Sequence, residues 1–203
     1  MHEVGGLPLR RAVASRAALT HLLVVATWLA FGAAFVARPR QPGGKTAKRA
    51  PLAMVGMVLQ ALAYSVVWSA QGLHLAPPPA PVRWVGVVVN AGGAAVVWAA
   101  VRHLGKQWAL QARVLEGHEL VTSGPYAHVR HPIYSAMFLM LIGTGLVVST
   151  WEHLAVALPL FLAGTALRTR LEERLLRDVF GERFEAYRRT AGWLLPRPAP
   201  PRN

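Results

Sequence analysis

Apolar residues in this chain come in long unbroken runs separated by short basic stretches, and only near the C-terminus do they recur with helical spacing. The first run, Ala17 to Ala37, follows Arg10, Arg11 and Arg16. It supplies the roughly 20 residues that a helix needs to cross a hydrocarbon core. A cleaved signal peptide would carry a shorter apolar stretch and a small-residue cleavage site, whereas this run ends in Arg38-Pro39-Arg40, so it reads as a span. The second run starts at Pro51, a good first residue for a helix, and reaches about Leu73; Ala76-Pro77-Pro78-Pro79-Ala80-Pro81 then forbids continuation. The third, Val82 to about Leu104, contains Asn90-Ala91-Gly92-Gly93-Ala94-Ala95, small residues that let another membrane helix approach closely.

A fourth run begins at Pro132 and continues through Val148, and a fifth extends from Leu154 to Leu167. The connection Ser149-Thr150-Trp151-Glu152-His153 is so short that these two predict an antiparallel hairpin. Past Arg168, the spacing of Leu171, Leu175 and Val179 among Arg and Glu predicts that the fifth helix leaves the membrane and continues as an amphipathic one. Gly181 is its expected interruption and Pro196 its end. The expected fold class is an all-α integral membrane protein with about five transmembrane helices, the last two a hairpin, plus a polar loop and a C-terminal helix. Residues 1–103 would hold three spans, and residues 104–203 the loop, the hairpin and the amphipathic helix.

Composition agrees with this pattern: 54% of the 203 residues are hydrophobic and 15% charged, too apolar for an ordinary soluble domain. The net charge of +13 raises nucleic acid as a partner, but the arginines flank apolar runs, where they meet the anionic inner leaflet, and no nucleic acid is expected. The lack of cysteine removes disulfides, thiolate nucleophiles and cysteine metal sites. Arg38, Arg40, Lys45, Lys48 and Arg49 crowd the first connection, against Arg83 alone in the second. Basic loops face the cytoplasm. Alternation then puts the 104–131 connection and the C-terminus there too, and the N-terminus outside despite Arg10, Arg11 and Arg16.

Polar residues concentrate in two places that this topology brings to one membrane face: the Gln111 to Tyr134 connection and the Arg168 to Glu173 exit of the last span. Charges at that depth are costly unless paired or facing a cavity. The plain account of Arg168, Arg170, Glu172 and Glu173 is interfacial snorkelling with salt bridges among themselves. Gly124-Pro125 marks a turn, and Pro132 suits the first position of a helix with His131 near its cap. Such a helix start presents free N–H groups and a positive dipole end, apt for a carboxylate or phosphate. Glu172 would meet a cationic group of the same ligand, and Tyr126 and Tyr134 offer flat faces to a ring or a sulfonium.

The segments His118-Glu119-Leu120-Val121, Gly124-Pro125-Tyr126, Arg130-His131-Pro132-Ile133-Tyr134, Arg168, Glu172-Glu173 and Phe180-Gly181-Glu182 stand in this order. In that arrangement the chain resembles the isoprenylcysteine carboxyl methyltransferases and related phospholipid methyltransferases, over roughly Leu104 to Pro196. The resemblance implies an S-adenosylmethionine-dependent transfer, to oxygen in preference to nitrogen or sulfur, onto a lipid or prenylated small molecule at the bilayer. It implies a cofactor pocket of Gln111, His118, Glu119, Leu120, Val121, Tyr126, His131, Pro132, Ile133, Tyr134 and Glu172, with Arg168 and Arg130 toward the acceptor. Two readings stand for Arg130, which either pairs with the acceptor's anion or fixes the loop by bonding carbonyls, and Gln111 is as readily an ordinary solvated side chain. Glu173 reads as a salt-bridge partner. His118, His128 and His131 lack zinc-ligand spacing, and no metal is expected. The rival functions are an NADPH-dependent membrane reductase of sterol-reductase type and a non-enzymatic transporter or structural membrane protein.

Overall fold

A computed structural model describes residues 6–37, 46–49, 52–72, 78–105, 113–115 and 119–197. Its helices are α1 (Gly6–Val36), α2 (Ala53–Gly72), α3 (Ala80–Leu104), α4 (Pro132–Val148), α5 (Trp151–Phe180) and α6 (Glu182–Thr190). Four of them, α1, α2, α3 and α5, are long and apolar enough to cross a membrane, and α4 is a shorter apolar helix of 17 residues. Helices suit this setting because they satisfy their own backbone groups where no water is present. Large apolar side chains such as Leu22, Leu29, Val58, Val88 and Val156 point outward, as lipid-facing positions require. The chain is a multi-pass membrane protein by this architecture.

One short feature departs from a purely helical molecule. Strands β1 (Thr46–Arg49) and β2 (Arg113–Leu115) pair antiparallel, with Lys48 opposite Val114. Neither segment alternates apolar and polar residues long enough to signal a strand. Their pairing is tertiary, and it ties the α1–α2 connection to the α3–α4 connection on one side of the bundle.

The α4–α5 hairpin turns at Ser149 and Thr150, the Ser149 N–H closing on Gly145 O at 3.0 Å. Its two arms nevertheless pack mainly elsewhere, α4 against α3 and α5 against α2. Glycines explain the choice. A Cβ on Gly86 would lie 2.7 Å from Gly143 O, and one on Gly164 would lie 2.6 Å from Gly56 O, so each pair of backbones touches where a side chain would hold it apart. In the small-residue stretch of α3, Gly93 lies on Met140 and Ala136, whereas Gly92 meets nothing. Asn90 donates to Thr144 Oγ1 (2.8 Å) and Met140 O (3.3 Å) and accepts from Thr27 Oγ1 (2.7 Å), joining α1, α3 and α4. Val24, Ala63, Val67, Leu141, Val147, Leu154, Ala157 and Phe161 form the largest apolar cluster, shared by α1, α2, α4 and α5.

α3 is longer than α4 and continues past the start of α4. At 1.5 Å per residue, α4 is about 26 Å long and α3 about 38 Å. Ile133, in the first turn of α4, packs with Ala34, Val97, Val101 and Ala136, so α3 runs on past the start of α4. The loop from Glu119 to His131 fills in beside it, its 3-10 turn Gly124–Ala127 resting on the end of α3. Gly124 has φ +59° and carries the His103 ring where a Cβ would be, so only glycine fits both its backbone and its neighbour.

Candidate functional site

The first turn of α4 and the end of α5 come together through a row of polar side chains. Tyr134 Oη donates a short hydrogen bond to Glu172 Oε1, and the Arg168 guanidinium lies over the Tyr134 ring, 5.1 Å from its centroid. Arg168 Nε is 3.8 Å from Glu172 Oε1, the two being one turn apart on α5. His131 places Nδ1 3.8 Å from Glu172 Oε2 and Nε2 3.0 Å from Glu173 Oε1. Arg130 Nε donates to the same Glu173 oxygen at 2.9 Å. His131, Tyr134 and Arg168 are buried, while Glu172 stays partly open with its side chain 23% exposed. Glu172 is thus the carboxylate of the row that a ligand can still reach.

Pro132 at the first helical position has no N–H to give, and His131 caps without a side-chain bond to the helix. Its ring instead turns back to the two glutamates. The α4 start therefore keeps the positive dipole end that the spacing predicts, and Tyr134 in its first turn reaches Glu172 through its hydroxyl.

Glu173 has a different duty. It holds Arg130 and His131, and Arg130 also donates to Ala191 O (2.6 Å) and Arg188 O (3.3 Å). Of the two readings of Arg130, this geometry fits the fixing of the loop. The C-terminal segment completes the clamp. Arg130 N–H donates to Gly192 O and Gly192 N–H to His128 O, Ser135 Oγ donates to Leu194 O (2.6 Å), and Trp193 Nε1 donates to Thr169 Oγ1 (3.0 Å). A few residues after α6 thus hold the loop, the α4 start and α5 in one register.

The remaining expected residues spread around this core. Tyr126 is buried, its carbonyl accepting from Tyr187 Oη at 2.7 Å, and burial raises its phenol well above the ordinary value. Burial likewise pushes the Tyr187 phenol up to about 12. Leu120 packs on the α6 cluster of Phe184, Tyr187 and Ala191, Val121 is half-buried, and Glu119 is exposed. The side chain of Ile133 packs with Ala34 of α1 and Val97 and Val101 of α3. Gln111 and His118 lie outside the described residues. Gly181, at φ +51°, breaks α5 from α6 in a left-handed conformation. Beyond it Glu185 pairs with Arg177 (2.6 Å) and Arg188 (3.0 Å), and these hydrogen bonds, that to Arg177 first, hold its carboxyl below the usual range. Among the described residues no three His, Asp or Glu side chains gather as a metal site.

Several members of the site carried little or no sequence signal. Gln60 of α2, which accepts from Arg168 NH1 at 3.2 Å, was detectable as a lone amide deep in an apolar span. Tyr187, Trp193 and Thr169 carried none, since their roles arise from where the C-terminal segment folds back.

A profile of the phospholipid methyltransferase family matches residues 82–183, half of the chain, from the start of α3 to the start of α6. The chain belongs to that family. Among curated relatives of this phospholipid methyltransferase family member, the cobalt-zinc-cadmium resistance protein CzcN of Cupriavidus metallidurans is 38% identical over 91 residues, covering 43% of this chain and 41% of CzcN. The protein-S-isoprenylcysteine O-methyltransferase of Schizosaccharomyces pombe is 33% identical over 72 residues, 36% of this chain and 30% of that protein. The nickel-cobalt-cadmium resistance protein NccN of Alcaligenes xylosoxydans xylosoxydans is 33% identical over 95 residues, 46% and 44%. The chain spans less than half the length of each. The matched family region contains the whole polar row from Arg130 to Glu173, and α1 and α2 precede it.

Proposed function

We propose that this protein transfers a methyl group from S-adenosylmethionine to an oxygen of a lipophilic acceptor at the cytoplasmic membrane interface. The observation that carries the reading is the junction of the α4 start with Glu172, beside Arg168 one turn deeper on α5. The donor set fits the cofactor: first-turn amides of α4 for its anionic group, the Glu172 carboxylate for a cationic one, and the aromatic faces of Tyr134 and Tyr126 for its ring or its sulfonium. When bound, S-adenosylmethionine supplies an electrophilic methyl group on a positively charged sulfur. Leu120, Val121 and the backbone of Pro132 and Ile133 would form walls, and Gln111, His118 and Glu119 would close the loop side. Arg168 would orient an anionic acceptor by a charge-assisted contact, since direct displacement chiefly requires alignment. The Schizosaccharomyces pombe relative supports transfer to oxygen on a prenylated acceptor, and the family supports a phospholipid-like one. The paired basic connections and the C-terminus would face the cytoplasm, from which the cofactor arrives, with the N-terminus outside.

Calorimetry on the detergent-purified chain tests this. S-adenosylhomocysteine should bind, and Glu172→Ala should weaken it roughly ten- to hundredfold, the loss of a hydrogen bond to a charged group. Absence of binding, with thermal stabilisation by NADPH instead, would replace the transferase with a reductase. If Tyr134→Ala altered stability but no ligand response existed, the polar row would be structural only.

A further inference from the structure

We infer that Gln60 in α2 is a positioning residue for Arg168, so that the acceptor side of the site is built partly by a span that precedes the matched family region. The inference rests on the reading of Arg168 as the acceptor-facing residue. Gln60 is 2% exposed. Its Oε1 accepts from Arg168 NH1 at 3.2 Å, and its Nε2 donates to Thr165 Oγ1 at 2.8 Å, one turn before Arg168 on α5. The guanidinium, which can only donate, requires the amide oxygen of Gln60, and the NH2 then donates to Thr165, whose hydroxyl can accept.

Gly56, one turn earlier on α2, adds a second grip. A Cβ there would stand 2.5 Å from Arg168 Cγ and 2.5 Å from Gly164 O, so the α2 backbone presses on the arginine's stem. Arg168 is therefore held at its stem by Gly56, at one guanidinium nitrogen by Gln60 and on its flat side by the Tyr134 ring. A long side chain fixed in advance loses less freedom when it takes up a ligand. The chemistry of the holder matters as much as its position. A neutral amide orients the guanidinium and adds no negative charge to that already supplied by Glu172, whereas a carboxylate at this place would add a second. The class of acceptor that gains from such an arrangement carries a carboxylate on an apolar body.

The test uses the full chain in lipid nanodiscs, tritiated S-adenosylmethionine, and N-acetyl-S-farnesyl-cysteine as the probe acceptor. Gln60→Met keeps the length and removes both hydrogen bonds. It should raise the acceptor KM roughly tenfold while the cofactor KM and S-adenosylhomocysteine affinity stay within about twofold. Gln60→Glu should restore the wild-type melting temperature yet keep the raised acceptor KM, because it holds Arg168 but adds a second negative charge beside it. An unchanged acceptor KM in both variants, or a parallel loss of cofactor affinity, would overturn the inference while leaving the methyltransferase intact. Should Gln60→Met fail to fold, the acceptor KM of Gln60→Glu alone decides in the same way. A wild-type chain that does not bind S-adenosylhomocysteine removes the proposed function itself. One that binds it but leaves the probe unlabelled removes the carboxylate acceptor, and with it the role given to the charge of Arg168.

Discussion

The α3–α4 pair and the α2–α5 pair are closed by the same device, glycines that lay one backbone on another, Gly86 on Gly143 and Gly56 on Gly164. Each pair also buries one amide. Asn90, between α3 and α4, finds neutral partners, Thr27, Thr144 and the carbonyl of Met140. Gln60, between α2 and α5, finds Thr165 and then a charge, Arg168. The first network ends within the bundle and glues helices together, as expected for hydrogen bonds among membrane spans. The second opens onto Tyr134, Glu172 and His131, where charges are tolerated because they face one another. Equivalent packing thus encloses a neutral network on one side of the molecule and a charged one on the other.

The largest expected effect that would break this comparison comes from the glycines. Gly86→Leu and Gly56→Leu should each cost about 3 kcal/mol, since a side chain would overlap backbone atoms. The milder Gly56→Ala should also raise the acceptor KM by displacing Arg168, whereas Gly86→Ala should lower the melting temperature in detergent without changing either KM. If Gly86→Ala disturbed the acceptor KM as much as Gly56→Ala, the division between the two pairs would fail. A smaller effect sharpens it. Asn90→Leu should destabilise by about 1–2 kcal/mol, a few interhelical hydrogen bonds, with cofactor affinity unaltered by calorimetry.

The smallest effect concerns the clamp that the C-terminal segment places over the second pair. Tyr187→Phe should cost about 1 kcal/mol at neutral pH through loss of the bond to Tyr126 O. Because burial raises the Tyr187 phenol from its ordinary 10 to about 12, its neutral form stabilises the fold. That contribution is complete below pH 10 and is lost as pH rises through about 12. Melting curves between pH 8 and 12 should therefore fall less steeply for Tyr187→Phe than for wild type. Equal alkaline slopes would show that Tyr187 ionises without loosening the clamp.

Much of the geometry of the polar row was legible before the structure, for definite reasons. Pro132 after His131 announces a helix start, and the Arg168-x-x-x-Glu172 spacing puts both residues on one face of α5, so the row from His131 to Arg168 needed only a hairpin of membrane length to assemble. The adjacent glutamates were read apart too, Glu173 as a salt-bridge partner, and the packing of α5 shows the geometry behind it. Glu173 is taken by Arg130 and His131, and Glu172 is left partly open, because α5 turns one toward the loop and the other toward the α4 start. The contribution of α2 was not legible at all beyond a single amide, since which span lies beside α5 depends on helix packing.

The sequence by itself determined where the spans begin and end, that α5 runs on out of the bundle to Gly181, and that a polar loop meets a helix start, because hydropathy, proline and glycine act locally. Only the tertiary structure decided that the hairpin's arms take different partners, that β1 and β2 join two distant connections, and that Gln60 and the segment after α6 close on Arg168 and Arg130. Those contacts depend on which glycine faces meet at close range, a pairing that no run of apolar residues encodes, since in lipid every span is apolar and shape, not hydrophobicity, chooses the neighbour.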